Sequence, residues 1–231
     1  MSRETGPRLD RALALMYLSS PSLPIGAFAW SRGLEAAIGA GLVADAPGLR
    51  AHVSALLARS LGTFDLPILA GAFLAGLGRD VQELAFLDRL SLAGRESAEF
   101  RREEEEGGGA IRRLMLSLDL WPAFLDASFR PGQTAGFALL SLGLGLGGDD
   151  LQDVLGAFAF GFLQNQISVA ARSMRIGQSG LQAVALSLGL EIPGICRAAS
   201  DLAPRQWGSG LVGLSILSAH HELAAGRLFR S

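Results

Sequence analysis

The chain has 231 residues, 49% hydrophobic and 18% charged, with a formal charge of −2 and a mean hydropathy of +0.34. A chain of this length and apolarity buries ~70% of its extended surface in a single large domain, which excludes disorder as its main state. All 20 basic residues are Arg, so the P-loop lysine, the kinase lysine and Schiff-base chemistry are excluded, and near-neutral charge without a basic face argues against nucleic acid as a partner.

Strand signals are almost missing, whereas Leu and Ala recur three and four residues apart, so the expected class is all-α: one globular domain, 1–231, of about ten helices. A first helix fits 8–20, with Leu9, Leu13, Met16 and Tyr17 on one face before Ser20-Pro21. A second should begin after Pro24-Ile25-Gly26 and run to Gly41, with Phe28, Trp30 and Leu34 anchoring it in the core. Asp45 caps a third, with Pro47 in its first turn; Thr63 and Pro67 open a fourth, to about Gly76. Asp80 caps a fifth that extends toward Glu103–Glu106, where Gly107-Gly108-Gly109 should break or kink it, since each Gly costs ~1 kcal/mol against Ala. Further helices fit 110–119, 133–146, 150–174, 179–189, 193–202 and 207–225. The 150–174 segment carries Val154, Leu155, Phe158, Phe160, Phe162, Leu163 and Ile167 all round, as a central helix does.

The uncharged stretches 131–148 and 154–171 carry Gln133 and Thr134, and Gln164, Asn165 and Gln166, and fall short of ~20 apolar residues, so they read as buried core helices with no membrane partner. The N-terminal residues lack a signal peptide's apolar run, and the lone Cys196 has no disulfide partner; both point to the cytoplasm.

Chemistry-bearing residues are few. His220, His221 and Cys196 are weak metal candidates at most: adjacent histidines point about 100° apart on a helix, and no Cys-x-x-Cys or His-Glu-x-x-His is present. No Gly-x-Ser-x-Gly elbow occurs, and Gly143-x-Gly145-x-Gly147-Gly148 follows a helix rather than a strand, so neither catalytic nor cofactor-binding residues are expected. The run Glu103–Glu106 reads as a solvated, mobile helix face whose reversal to Arg should leave any complex intact.

The stretch Ser20-Pro21-Ser22-Leu23-Pro24-Ile25-Gly26-Ala27-Phe28-Ala29-Trp30-Ser31-Arg32-Gly33-Leu34-Glu35-Ala36-Ala37 resembles the N-terminal signature of the UreF family of urease accessory proteins, and Arg227-Leu228-Phe229-Arg230-Ser231 resembles that family's ending. Between them, Asp65-Leu66-Pro67, Ser91-Leu92-Ala93-Gly94-Arg95-Glu96, Leu163-Gln164-Asn165 and Gly177-Gln178 fall in family order, while Glu104–Gly109 departs from it. The resemblance implies an all-α, non-enzymatic scaffold, without cofactor, in the complex that delivers nickel to apo-urease. Its implied partners are a UreD/UreH-like accessory protein and a UreG-like GTPase, which it would recruit or whose GTP hydrolysis it would modulate. Partner-binding positions are then expected at Arg32, Glu35, Arg95, Glu96, Gln178, His221 and a free C-terminal tail of Arg227, Leu228, Phe229, Arg230 and Ser231. The high apolar content further leads to the expectation of a homodimer.

Overall fold

Four helix starts are fixed by short polar side chains that accept the first free backbone N–H groups, as an N-cap must. In the computed structural model, which describes residues 9–24, 29–208, 210–222 (backbone only for 220–222) and 228–229, Asp10 caps α1 (Arg11–Leu18) and Asp45 caps α3 (Ala46–Leu56). Asp80 caps α5 (Val81–Ala93) and Ser97 caps α6 (Ala98–Ser117). The remaining helices are α2 (Leu34–Gly39), α4 (Leu66–Gly78), α7 (Gln133–Gly143), α8 (Leu151–Ser173), α9 (Gln178–Gly189), α10 (Ile192–Asp201) and α11 (Val212–Glu222). The fold is all-α.

Residues 57–65 continue α3 into α4 as a π-helical stretch, so 46–78 form one rod. The wider π turn leaves carbonyls free, and the chain entering α11 uses them: Gly210 N donates to Arg59 O at 2.9 Å and Gly208 N to Thr63 O at 3.0 Å, while Thr63 Oγ1 donates to Gly208 O at 2.7 Å. Around the rod, α4 packs on α5 and α7, α6 on α7, and α8 against α1, α2, α3, α4, α7, α9 and α10. The helices 46–78, 148–173 and 178–201 are long and apolar enough to cross a bilayer by composition. In this fold most of the first two is spent on the core, but only a third of the third is buried.

Four expectations are corrected. The second helix is only α2, because Arg32 (φ 49°) and Gly33 (φ 79°) are left-handed and interrupt the chain before Leu34; residues 25–28, including Phe28, lie outside the described set. The fifth helix stops at Ala93, and Ser97 starts a new one. The triglycine does not break α6: it sits mid-helix on the α7 side, where a Cβ on Gly108 would fall 2.0 Å from Pro131 O and one on Gly107 2.4 Å from Gln133 Oε1. Finally, α1 buries Ala14 and Leu18, while Leu13 and Met16 of its expected core face stand 55% and 68% exposed.

Candidate functional site

The left-handed turn at Arg32-Gly33 points the Arg32 side chain inward, where it is 6% exposed between the rings of Phe100 and Phe162, 5.5 and 6.0 Å from their centroids. There it ion-pairs with Glu103 of α6 and lies 3.9 Å from Asp65 Oδ1 at the end of the π turn. Arg95, just beyond α5, makes the second half of the network. Its Nη1 donates to Asp65 Oδ1 at 2.7 Å and its Nη2 to Glu104 Oε2 at 2.6 Å, over the face of Phe64. Glu104 Oε1 in turn accepts from Ser91 Oγ at 2.9 Å and from Thr134 N at 2.8 Å. The backbone of the turn is held from α8, where Asn165 Nδ2 donates to Trp30 O at 2.8 Å and Gln166 Nε2 to Ser31 O at 3.3 Å.

Two arginines and three carboxylates thus tie the 30–33 turn, the π turn and the α5, α6 and α7 segments together in the interior. Burial pulls the Arg95 pKa down, yet Asp65 and Glu104 more than offset it, and the guanidinium sits above its ordinary value. Burial pushes Glu103 up, with Arg32 and Arg95 opposing that shift. Such a network is worth little as net stability, because desolvation consumes most of the Coulomb gain, but it penalises any arrangement that separates the partners.

Asp88 and Glu104 also close the start of α7: Asp88 Oδ1 accepts from Gly132 N at 2.7 Å and Glu104 from Thr134 N, so two buried carboxylates from neighbouring helices serve a terminus that has no cap of its own. Burial first, and Glu104 nearby, push Asp88 up to about 6, partly offset by the Gly132 N–H. A folded pKa raised from 3.8 to about 6 means the native state binds more protons across that interval, so this group's contribution to stability is full below pH ~4 and is lost as pH rises through about 6. Asp88→Asn keeps an oxygen for Gly132 and does not titrate. Relative to the parent it should be level at pH 4 and more stable by up to ~3 kcal/mol at pH 7.5, as read from urea midpoints at the two pH values.

The sequence-predicted site residues divide sharply. Arg32 and Arg95 are buried side chains, not surface contacts, and within the expected solvated run Glu103 and Glu104 are buried while Glu105 and Glu106 are exposed. Their burial follows from the register of α6: Phe100, Glu104, Gly107, Gly108, Ile111 and Met115 form one stripe at helical spacing, and that stripe faces the core. Glu96 and Gln178 are exposed. Glu35 accepts from Leu228 N at 2.8 Å and Phe229 N at 3.0 Å. The free tail is therefore corrected at these positions: Phe229 is 6% exposed, in the core cluster beneath the Arg172 guanidinium, and only Leu228, 72% exposed, faces outward. Arg227, Arg230 and Ser231 lie outside the described residues, as do the side chains of His220 and His221. Cys196 is buried at 1% exposure, and that burial pushes its thiol up to about 11, far from a reactive thiolate. Among the described residues no group of three or more His, Cys, Asp or Glu is arranged to hold a metal ion.

The segments that converge on this network are those that carried the resemblance: Trp30 to Arg32, Asp65, Ser91 to Arg95, and Asn165. The UreF family model matches residues 43–189, more than half of the chain. The chain belongs to the UreF family. Three of its curated relatives are each described as urease accessory protein UreF. That of Chromohalobacter salexigens is 38% identical over 94% of this chain and 93% of its own length. That of Teredinibacter turnerae is 34% identical over 96% and 99% respectively. That of an Azoarcus species is 32% identical over the whole of both. The family match spans Asp65, Arg95, Glu103, Glu104 and Asn165, and the full-length similarity to other UreF proteins extends it over nearly the whole chain.

Proposed function

We propose that this protein is a non-enzymatic scaffold of urease maturation. In this reading it works in the cytoplasm, pairs with a second copy of itself, binds a UreD/UreH-like accessory protein, and recruits the UreG-like GTPase so that nickel, the cargo, reaches apo-urease. Membership of a family whose relatives are named urease accessory proteins is the observation that carries the reading. Two features of the structure support it. The buried ion pairs of Arg32 and Arg95 with Asp65, Glu103 and Glu104 hold segments of the chain together, as a scaffold requires. The surface, in turn, displays large apolar side chains that a solitary monomer has little use for: Met16 (68% exposed), Leu186 (71%) and Leu190 (77%).

Co-expression with the UreD/UreH-like protein and the GTPase, followed by affinity purification through the accessory protein, tests the scaffold; a scaffold brings both into one complex and, alone, hydrolyses no GTP. Recovery of the GTPase with the accessory protein in the absence of this chain would sink the reading. Light scattering on the isolated protein at micromolar concentration should give the mass of a dimer.

Leu228 and Phe229, the two described residues of the C-terminal segment, separate structure from recognition. Leu228→Asp should leave the melting temperature unchanged and weaken capture by the accessory protein, because the side chain is exposed. Phe229→Ala should lower the melting temperature, since truncating a buried Phe costs ~3–5 kcal/mol in a well-packed site. Unchanged capture by Leu228→Asp would remove the segment from the interface.

A further inference from the structure

Helices α4, α6 and α7 each stop in the same motif, a left-handed residue whose own N–H and that of the next residue bond back to the last turn. In α7 the left-handed residue is Gly145 (φ 96°), with Gly145 N donating to Leu142 O at 3.0 Å and Leu146 N to Ser141 O at 3.2 Å. In α4 it is Arg79 (φ 57°), with Arg79 N donating to Gly76 O at 3.2 Å and Asp80 N to Ala75 O at 2.8 Å, and in α6 it is Asp119 (φ 55°). Beside these ends lies an open groove of ≈ 520 Å³ whose lining includes Leu77, Leu120, Phe124, Leu142 and Leu146. Arg79 is the one charged side chain among the described residues that line it, and it makes no ion pair with any described residue.

Arg79 is ill suited to its own backbone. A left-handed helix end favours glycine, which stands at 145 in α7 and, in α4, one residue too early at 78. A cation near a helix C-terminus gains from the dipole, but it gains the same from the last helical turn without strain. The strain is explained by what the side chain faces. Around the groove, Leu74 and Leu77 of α4 and Leu116 and Leu118 at the end of α6 are 40–50% exposed. An apolar trough with one unpaired guanidinium at its edge complements an apolar segment that carries a carboxylate. A basic segment would be repelled by Arg79, and a wholly apolar one would bury it unpaired.

We propose that this groove is a second docking surface, which takes an apolar segment bearing an Asp or Glu side chain from a partner protein. Arg79 pairs with the carboxylate, and Leu77, Phe124 and Leu142 receive the apolar side chains. The proposal rests on the scaffold reading and adds a location to it. Phe229 docks beneath Arg172 near the end of α8, whereas the groove's Gly147 lies just before its start. At 1.5 Å per residue, Leu151 and Arg172 stand about 30 Å apart along that helix, so the two surfaces can hold different partners at once. The occupant of the groove is then a partner other than the accessory protein expected at Leu228.

The test co-expresses the full chain with the accessory protein, the GTPase and apo-urease, and measures the recovery of each partner separately. Arg79→Glu and Leu77→Asp should each lower recovery of the GTPase or of apo-urease by about tenfold or more, a loss of the size a buried charge pair or apolar anchor gives, while the accessory protein is recovered as with the parent. Arg79→Lys, which keeps the charge, should lose less. Hydrogen exchange in the parent complex should slow at 120–124 and 143–147 relative to the free protein. Arg79→Gly separates recognition from structure: it should raise the melting temperature of the isolated protein by about 2–4 °C as the left-handed strain is relieved, yet lower the same partner's recovery. Undiminished recovery with Arg79→Glu, unslowed exchange at the groove, or an Arg79→Gly protein that melts at or below the parent would each overturn the proposal. So would loss of self-association instead of a partner, which would assign the groove to a second copy. Failure of the parent itself to bring the partners together would instead sink the scaffold reading and take the proposal with it.

Discussion

Arg95→Ala should destabilise the protein by about 3–5 kcal/mol, the loss expected when one member of a buried ion pair is removed and the other stays. The loss is large because Arg95 serves two carboxylates at once: Asp65 at 2.7 Å and Glu104 at 2.6 Å, each with a side chain only 1% exposed. With the guanidinium gone, Glu104 keeps Ser91 and Thr134, whereas Asp65 is left with the more distant Arg32. Arg95→Lys should recover only part of the loss, since a single ammonium cannot reproduce the fork that reaches both carboxylates while stacking on Phe64. Guanidinium melts of the three proteins, followed by circular dichroism, check the order parent, Lys variant, Ala variant. A variant within 1 kcal/mol of the parent would show that the network is idle. If partner capture were lost with stability intact, Arg95 would return to the surface role its sequence context suggests.

That contrast shows what the chain discloses by itself. Local signals worked where the physics is local: Asp45 and Asp80 cap the helices they were expected to cap, and the 150–174 segment is the helix Leu151–Ser173. The ion-pair network is not legible, because Arg95 and Asp65 lie 30 residues apart and Arg32 and Glu103 71 apart, and only its Arg95–Glu104 pair, 9 apart, is local. An arginine followed by glycine reads as a surface turn until the left-handed backbone at Arg32 is known to send its side chain inward. Glu103 and Glu104 are hard to place from sequence for a different reason. The charge density of the run points outward while its register points inward, since Phe100, Glu104, Ile111 and Met115 mark the buried face of α6. Helix α1 errs in the opposite direction: its stripe of Leu9, Leu13 and Met16 has the period of a core face, and the fold turns much of it outward. An amphipathic pattern says that a face wants cover without saying whether this chain or a partner supplies it.

Gly108→Ala should cost ~3 kcal/mol or more, although helix propensity alone predicts a gain of about 1 kcal/mol from replacing a mid-helix glycine. Residue 108 is buried in α6 where the chain entering α7 crosses it. A Cβ there would lie 2.0 Å from Pro131 O and 2.4 Å from Gly132 C, and these are backbone atoms that no rotamer change can move aside. Relief would require α7 to shift away from α6, and the same shift would stretch Thr134 N from Glu104 and Gly132 N from Asp88, so the strain spreads into the ion-pair network. Gly109→Ala is the internal control, because its Cβ would meet nothing nearer than Arg113 Nη1 at 3.5 Å. That variant should be stabilised by ~0.5–1 kcal/mol, the propensity term acting alone. Melting temperatures of the two variants should therefore move in opposite directions from the parent although they differ only in which of two adjacent glycines is changed. A rise in both would mean that the α6–α7 approach is looser than the structure has it, and that the triglycine answers to something other than packing.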